Sequence, residues 1–105
     1  MAKKVKIVKG FYMNKKTGHP SYAFSQRRKR IESVGFTHNK NDVAKKVKLK
    51  HNIDKSDRAD CYVKTVIEVQ QSNEYRRTSK TDKLRIHKED EPIILKIIKN
   101  NKKKR

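Results

Sequence analysis

The chain has 105 residues, of which 32% are hydrophobic and 39% charged, which allows one domain with a modest core and excludes a multidomain enzyme. Thirty Lys and Arg against eleven Asp and Glu leave a formal net charge of +19. Solubility asks only roughly 2–8 units of a small domain, so the excess points to a polyanionic partner whose counterions Lys and Arg would release.

In chain order, Val5, Ile7 and Phe11 alternate with Lys4, Lys6 and Gly10, a period of two that predicts a first strand over residues 4–13. Asn14-Lys-Lys-Thr-Gly18 reads as a turn, with Gly18 free to take positive φ. Pro20 holds His19 extended. A second strand, Ser21 to Ser25, carries Tyr22 and Phe24 on one face. Gln26-Arg-Arg-Lys-Arg30 is the expected hairpin tip, and Ile31 to His38 the return strand. That strand places Glu32, Val34, Phe36 and His38 on one side and Ile31, Ser33, Gly35 and Thr37 on the other.

Val47 and Leu49 alternate with Lys48 and Lys50, predicting a short edge strand whose lysines discourage edge-to-edge pairing. Asn52 to Asp60 is a polar loop. Asp60 to Val69 is β-branched and predicts one strand with Cys61, Val63, Thr65, Ile67 and Val69 on a shared face. Gln70 to Lys83 is a polar connection, and Leu84 with Ile86 predicts one more short strand. Asp90 and Glu91 before Pro92 signal a helix start. Ile94, Ile97 and Ile98 then form an apolar stripe on a helix of about ten residues. The expected fold is α+β: a small, curved, mostly antiparallel sheet of roughly four to six strands with one C-terminal helix packed on it. The domain is expected over residues 1–99, with a flexible basic tail at 100–105.

Basic clusters recur along the chain: Lys3, Lys4, Lys6 and Lys9; Arg27 to Arg30; Lys45 to Lys50; Arg76, Arg77 and Lys80; and Lys102 to Arg105. Arginines at a hairpin tip can straddle phosphates. Tyr12, Tyr22, Phe24, Phe36 and Tyr62 fall on or near strands, where an aromatic beside cations can stack a single-stranded base. Most of so small an aromatic set is needed for the core, and Tyr22 and Tyr62 best tolerate a wet edge.

His19 and His38 flank the same hairpin and are expected at its open end. Two histidines and a cation can cleave RNA without metal: one base for the 2′-hydroxyl, one acid for the leaving oxygen, one cation for the phosphate. Cys61 is alone, so no internal disulfide forms, and it reads as a small core residue. No Cys or His pair has metal-ligand spacing, so no metal and no cofactor is expected. Asp54, Asp57 and Asp60 lack the glycine and closing glutamate of a calcium loop and read as turn residues. Phosphate-binding loops, dinucleotide turns and nucleophile elbows are absent.

His19-Pro-Ser-Tyr-Ala-Phe24, Gly35-Phe-Thr-His38, Leu49-Lys-His-Asn52 and Cys61-Tyr-Val63 together resemble small basic proteins of Gram-positive bacteria and their mobile elements. The likeness spans roughly residues 19–63 and implies a context without an assigned activity. Nucleases of the barnase and colicin type also combine a small sheet with His, Arg and Thr, but fold-level analogy assigns no function.

The expected function is therefore nucleic-acid binding through phosphates, with RNA or single strands favoured slightly over duplex DNA. No helix-turn-helix pattern fills a major groove. Arg27, Arg28, Lys29 and Arg30 are the expected centre, with Lys45, Lys46, Lys48, Lys50 and Tyr22 beside them. Two alternatives stand: a toxin-type ribonuclease using His19 and His38, and a protein that grips an acidic protein partner. Membrane partnership is not expected, because no long basic amphipathic helix and no spanning apolar run is visible. Neither is a secretory leader, so the expected location is the cytoplasm.

Overall fold

The alternating segments between residues 10 and 37 form the centre of an antiparallel sheet, as their period of two requires. The computed structural model describes residues 10–42 and 44–103. Its elements are β1 (Gly10–Asn14), β2 (Pro20–Arg27), β3 (Arg30–Thr37), β4 (Lys46–Lys48), β5 (Tyr62–Lys64), β6 (Glu68–Gln71), β7 (Tyr75–Arg76), α1 (Ser79–Asp82) and α2 (Glu91–Lys103), with a 3-10 turn at Ser72–Glu74. The fold is α+β, an open antiparallel sheet with a C-terminal helix. Residues 4–9 of the expected first strand, with the cluster Lys3 to Lys9, lie outside the described residues.

The strand order is β4-β5-β3-β2-β1-β7, and β6 pairs with β3 beyond β5. Since β2 occupies one edge of β3, β5 and β6 share the other. The chain then passes from β6 to β7, on the far side of β1, through only the three residues Ser72–Glu74. In a flat sheet β6 and β7 would stand about 19 Å apart, four strand spacings of ~4.8 Å. A four-step link reaches at most ~15 Å even when extended. The sheet must therefore curl, and it buries both of its faces.

The outer face is apolar. Phe11, Val34, Phe36 and Val63 from the sheet meet Leu49, Ile53, Cys61 and Leu84 from the loops and Ile94 and Ile97 from α2. Phe36 sits at its centre, 5.4 Å from the Phe11 ring. The inner face is largely polar and still buried: Asn14, Ser21, Ser33 and Thr37 are fully enclosed beside Ala23 and Ile31. Two of its groups are paired across the curl, Ser33 Oγ with the Tyr75 hydroxyl at 2.7 Å and Asn14 Nδ2 donating to Glu68 Oε2 at 3.2 Å, whereas the Ser21 hydroxyl is buried without a hydrogen-bond partner. A Cβ on Gly35 would strike the Glu68 carboxylate, so glycine is what lets that side chain fold in. Burial pushes the Tyr75 hydroxyl above its ordinary pKa, against the opposing Ser33 bond.

Three expectations need correction. The single strand over residues 60–69 is two, broken at 65–67, where Thr65 N–H donates to Lys45 O and Asn101 Oδ1 accepts from Ile67 N–H. The break resets the alternation, leaving Val66 and Val69 exposed. Leu84 and Ile86 form no strand: Arg85 N–H donates to Ile53 O and hands Leu84 to the core as irregular chain. The tail expected from residue 100 is helical through Lys103, since neither Gly nor Pro stops α2 and Asn101 Nδ2 donates to Thr65 O and Ile97 O. The helix start is as expected, with the Asp90 carbonyl accepting from Ile93 and Ile94 N–H. Among the described residues no helix is long and apolar enough to cross a membrane.

Candidate nucleic-acid interface

The β2–β3 hairpin closes in two residues, Arg28 and Lys29, because Arg27 and Arg30 already face each other as a strand pair. This tip is tighter than the five-residue one expected. Arg28 has φ 59°, the one described non-glycine residue in the left-handed region. A positive φ at the first turn position suits a two-residue hairpin whose twist matches its strands, and glycine is the usual occupant. An arginine there costs about 1–2 kcal/mol. Gln26 Nε2 braces the turn by donating to Arg28 O at 2.8 Å. Arg28, Lys29 and Arg30 are exposed, and among the described residues their side chains enter no ion pair. The Arg27 side chain lies outside the described residues.

A second cationic group forms on the other edge of the sheet. Register sets Lys46 opposite Lys64 and Lys48 opposite Tyr62, so all four side chains share one face of β4 and β5. Like charges placed directly opposite destabilise a sheet unless an anion meets them. Asp42 supplies part of that charge. Its carboxyl is held below the ordinary range chiefly by the Ala44 N–H, with Lys64, Lys46 and His19 adding positive charge. Lys46 Nζ donates to Asp42 O at 2.6 Å and stands 5.9 Å from the centre of the half-buried Tyr62 ring. Lys45 and Lys50 are exposed at the ends of this edge, and Lys48 pairs with Asp60 at 3.4 Å across exposed side chains.

Tyr22 is not part of either group. It packs edge-on to Phe11, with centroids 5.4 Å apart, and lines a groove of about 550 Å³ between β1 and α2. It stands five residues from Arg27 on the same strand, roughly 17 Å away at ~3.3 Å per residue. Tyr62, one of two tyrosines singled out for a wet edge, is the aromatic that the lysines surround.

The two histidines lie at the same open end of the hairpin. The ladder runs on from Ser21 opposite Gly35, and Asn14 N–H donates to His19 O at 3.1 Å. Their surroundings differ, however. His38 Nε2 lies 3.2 Å from Asn52 Oδ1 and 3.8 Å from Asp57 Oδ2, whereas His19 adds its charge to Asp42. No hydrogen bond joins the two rings. Cys61 is buried, and burial, with Asp57 and Asp90 nearby, pushes its thiol above the ordinary range, which suits a packed residue and not a nucleophile.

No protein-family model, curated protein or solved structure matches the chain.

A third region gathers residues that the linear order keeps apart. Asp90, fully buried, accepts from the backbone N–H groups of Lys50 and His51, both at 2.9 Å. This pins the 49–60 loop to the start of α2 and stacks the His51 and His87 rings with centroids 3.6 Å apart. The resulting open groove of about 1130 Å³ mixes Lys48, Lys50, Arg58 and Lys88 with Asp54, Asp57 and Asp60. Sequence spacing signals neither this pairing nor α1, whose start is a reciprocal Thr78–Thr81 capping box inside the expected polar connection.

Proposed function

We propose that the chain binds nucleic acid through its phosphates, with the hairpin tip as first contact and the β4–β5 edge as second. The observation that carries this is the tip itself: Arg28, Lys29 and Arg30 stand exposed without a described acid partner, and an arginine is kept where glycine would be unstrained. Strain retained at an exposed cationic turn is consistent with a positioning role for that arginine. Tyr62 between Lys46, Lys48 and Lys64 supplies a ring on which a base can stack, which favours a single strand. The contacts are to phosphates, so affinity is expected to vary little with sequence.

The test is a salt titration of a labelled single-stranded RNA and its DNA counterpart against the wild type and Arg28→Ser/Lys29→Ser/Arg30→Ser. The triple variant weakens binding to all sequences alike. It also flattens the slope of log affinity against log salt by about 2, three contacts at ~0.7 each. An unchanged slope, with circular dichroism showing the fold intact, refutes the assignment.

A further inference from the structure

We propose that His51, His87 and Glu89 form a binding site for a zinc-class divalent ion with one coordination position left open. Their ligand atoms all lie within 4.8 Å of one another. His51 Nε2 and Glu89 Oε1 are already 3.2 Å apart. Two donors on a tetrahedral zinc ion with bonds of ~2.0–2.1 Å stand roughly 3.3 Å apart, so this pair matches the edge that an ion requires. His51 is fixed by the Asp90 carboxylate on its own N–H, and its ring is stacked on His87 at an interplanar angle of 22°.

An ion lies in the plane of each imidazole it binds, so closing the third vertex takes the His87 ring out of its stack on His51 and gives up the 3.1 Å bond that its Nδ1 accepts from Glu89 N–H. The site therefore captures its ion against a ring stack and one local hydrogen bond and binds more weakly than a closed structural zinc site. Imidazole, imidazole and carboxylate select zinc-class ions over calcium or magnesium, which prefer all-oxygen shells. Three protein ligands leave the fourth position for water. Six basic side chains line the same groove against Asp54, Asp57 and Asp60, so the ion binds against a net positive surround, which weakens the site further.

Zinc chloride is titrated into the full chain in competition with a chromophoric chelator, and histidine ring protons are followed by NMR. One equivalent binds, the His51 and His87 ring signals move, and those of His19 and His38 do not. His51→Ala and His87→Ala each lower affinity at least tenfold; Glu89→Gln lowers it less, and calcium does not compete. The proposal is overturned by an absence of zinc binding, by binding that survives the His51→Ala/His87→Ala double variant, or by shifts at His38 instead. Should Ala at either position disturb folding, His51→Gln and His87→Gln replace them, with thermal melting as the control.

Discussion

The hairpin tip and the His51 groove are both cationic, but they are built in opposite ways. At the tip, Arg28, Lys29 and Arg30 stand without an acid partner among the described residues, on a turn strained at Arg28. In the groove acids stand among the cations: Asp60 pairs with Lys48, Asp57 lies 3.8 Å from His38 Nε2, Glu89 lies 3.2 Å from His51 Nε2, and Asp90 accepts from the Lys50 and His51 backbone, while Lys50, Lys55, Arg58, Arg85 and Lys88 line the same groove. The net charge of +19 is thus not spread evenly. A polyanion, on the proposed reading, would meet the tip first, whereas Asp42 partly offsets Lys46 and Lys64 and the groove interleaves acids with cations.

The largest expected difference between the two regions is in stability. Asp90→Ala leaves two part-buried N–H groups without their acceptor and frees the loop from α2. Its expected cost is about 2–4 kcal/mol. Lys29→Ala at the tip is expected to stay within about 0.5 kcal/mol. Urea unfolding of both variants checks this. A cost below about 1 kcal/mol for Asp90→Ala would mean that something other than its carboxylate assembles the groove.

That contrast also marks what could be seen in the linear order. The hairpin from Pro20 to Thr37 was legible because Tyr22, Phe24, Val34 and Phe36 keep a strict period of two, and α2 because acids, proline and an isoleucine stripe coincide. The tip was placed correctly but drawn too wide, since Gln26 and Arg27 are polar and carry no signal of remaining paired. The inner sheet face escaped notice, because Ser21, Ser33 and Thr37 look solvent-facing until the short β6–β7 link curls the sheet over them. The groove was invisible for a related reason. His51 and His87 meet only through Asp90, a long-range bond to backbone that leaves no spacing behind. Tyr22 was misplaced because alternation puts it on a face without saying that α2 closes over that face.

At the tip, Arg28→Gly sharpens the comparison by separating stability from binding. Relief of the left-handed arginine is expected to stabilise the chain by about 1 kcal/mol, reduced by the extra freedom that glycine gives the unfolded state. Nucleic-acid affinity falls in the same variant, since one phosphate contact is lost. Thermal melting and the salt titration, run on one preparation, read both quantities. A variant both less stable and equally tight would remove the reason for keeping arginine at that turn.

The smallest effect probes whether the groove acids are set by local bonds or by the surrounding basic field. Asp54 lies below the ordinary carboxylate range, chiefly because Ser56 Oγ donates to it at 2.6 Å and Ser56 N–H at 3.0 Å, with the charges of Lys80 and His38 behind these. A folded value below the unfolded one favours the carboxylate in the native state. That contribution is present above the unfolded value and is lost as pH falls through the folded one. Ser56→Ala removes the leading cause, so the Asp54 midpoint followed by carbonyl NMR rises toward the ordinary range, while added salt alone moves it less. A midpoint that ignores Ser56→Ala but climbs with salt would put the general basic field in charge. The groove would then differ from the tip only in how many acids happen to lie in it, and its claim to a cation of its own would rest on His51, His87 and Glu89 alone.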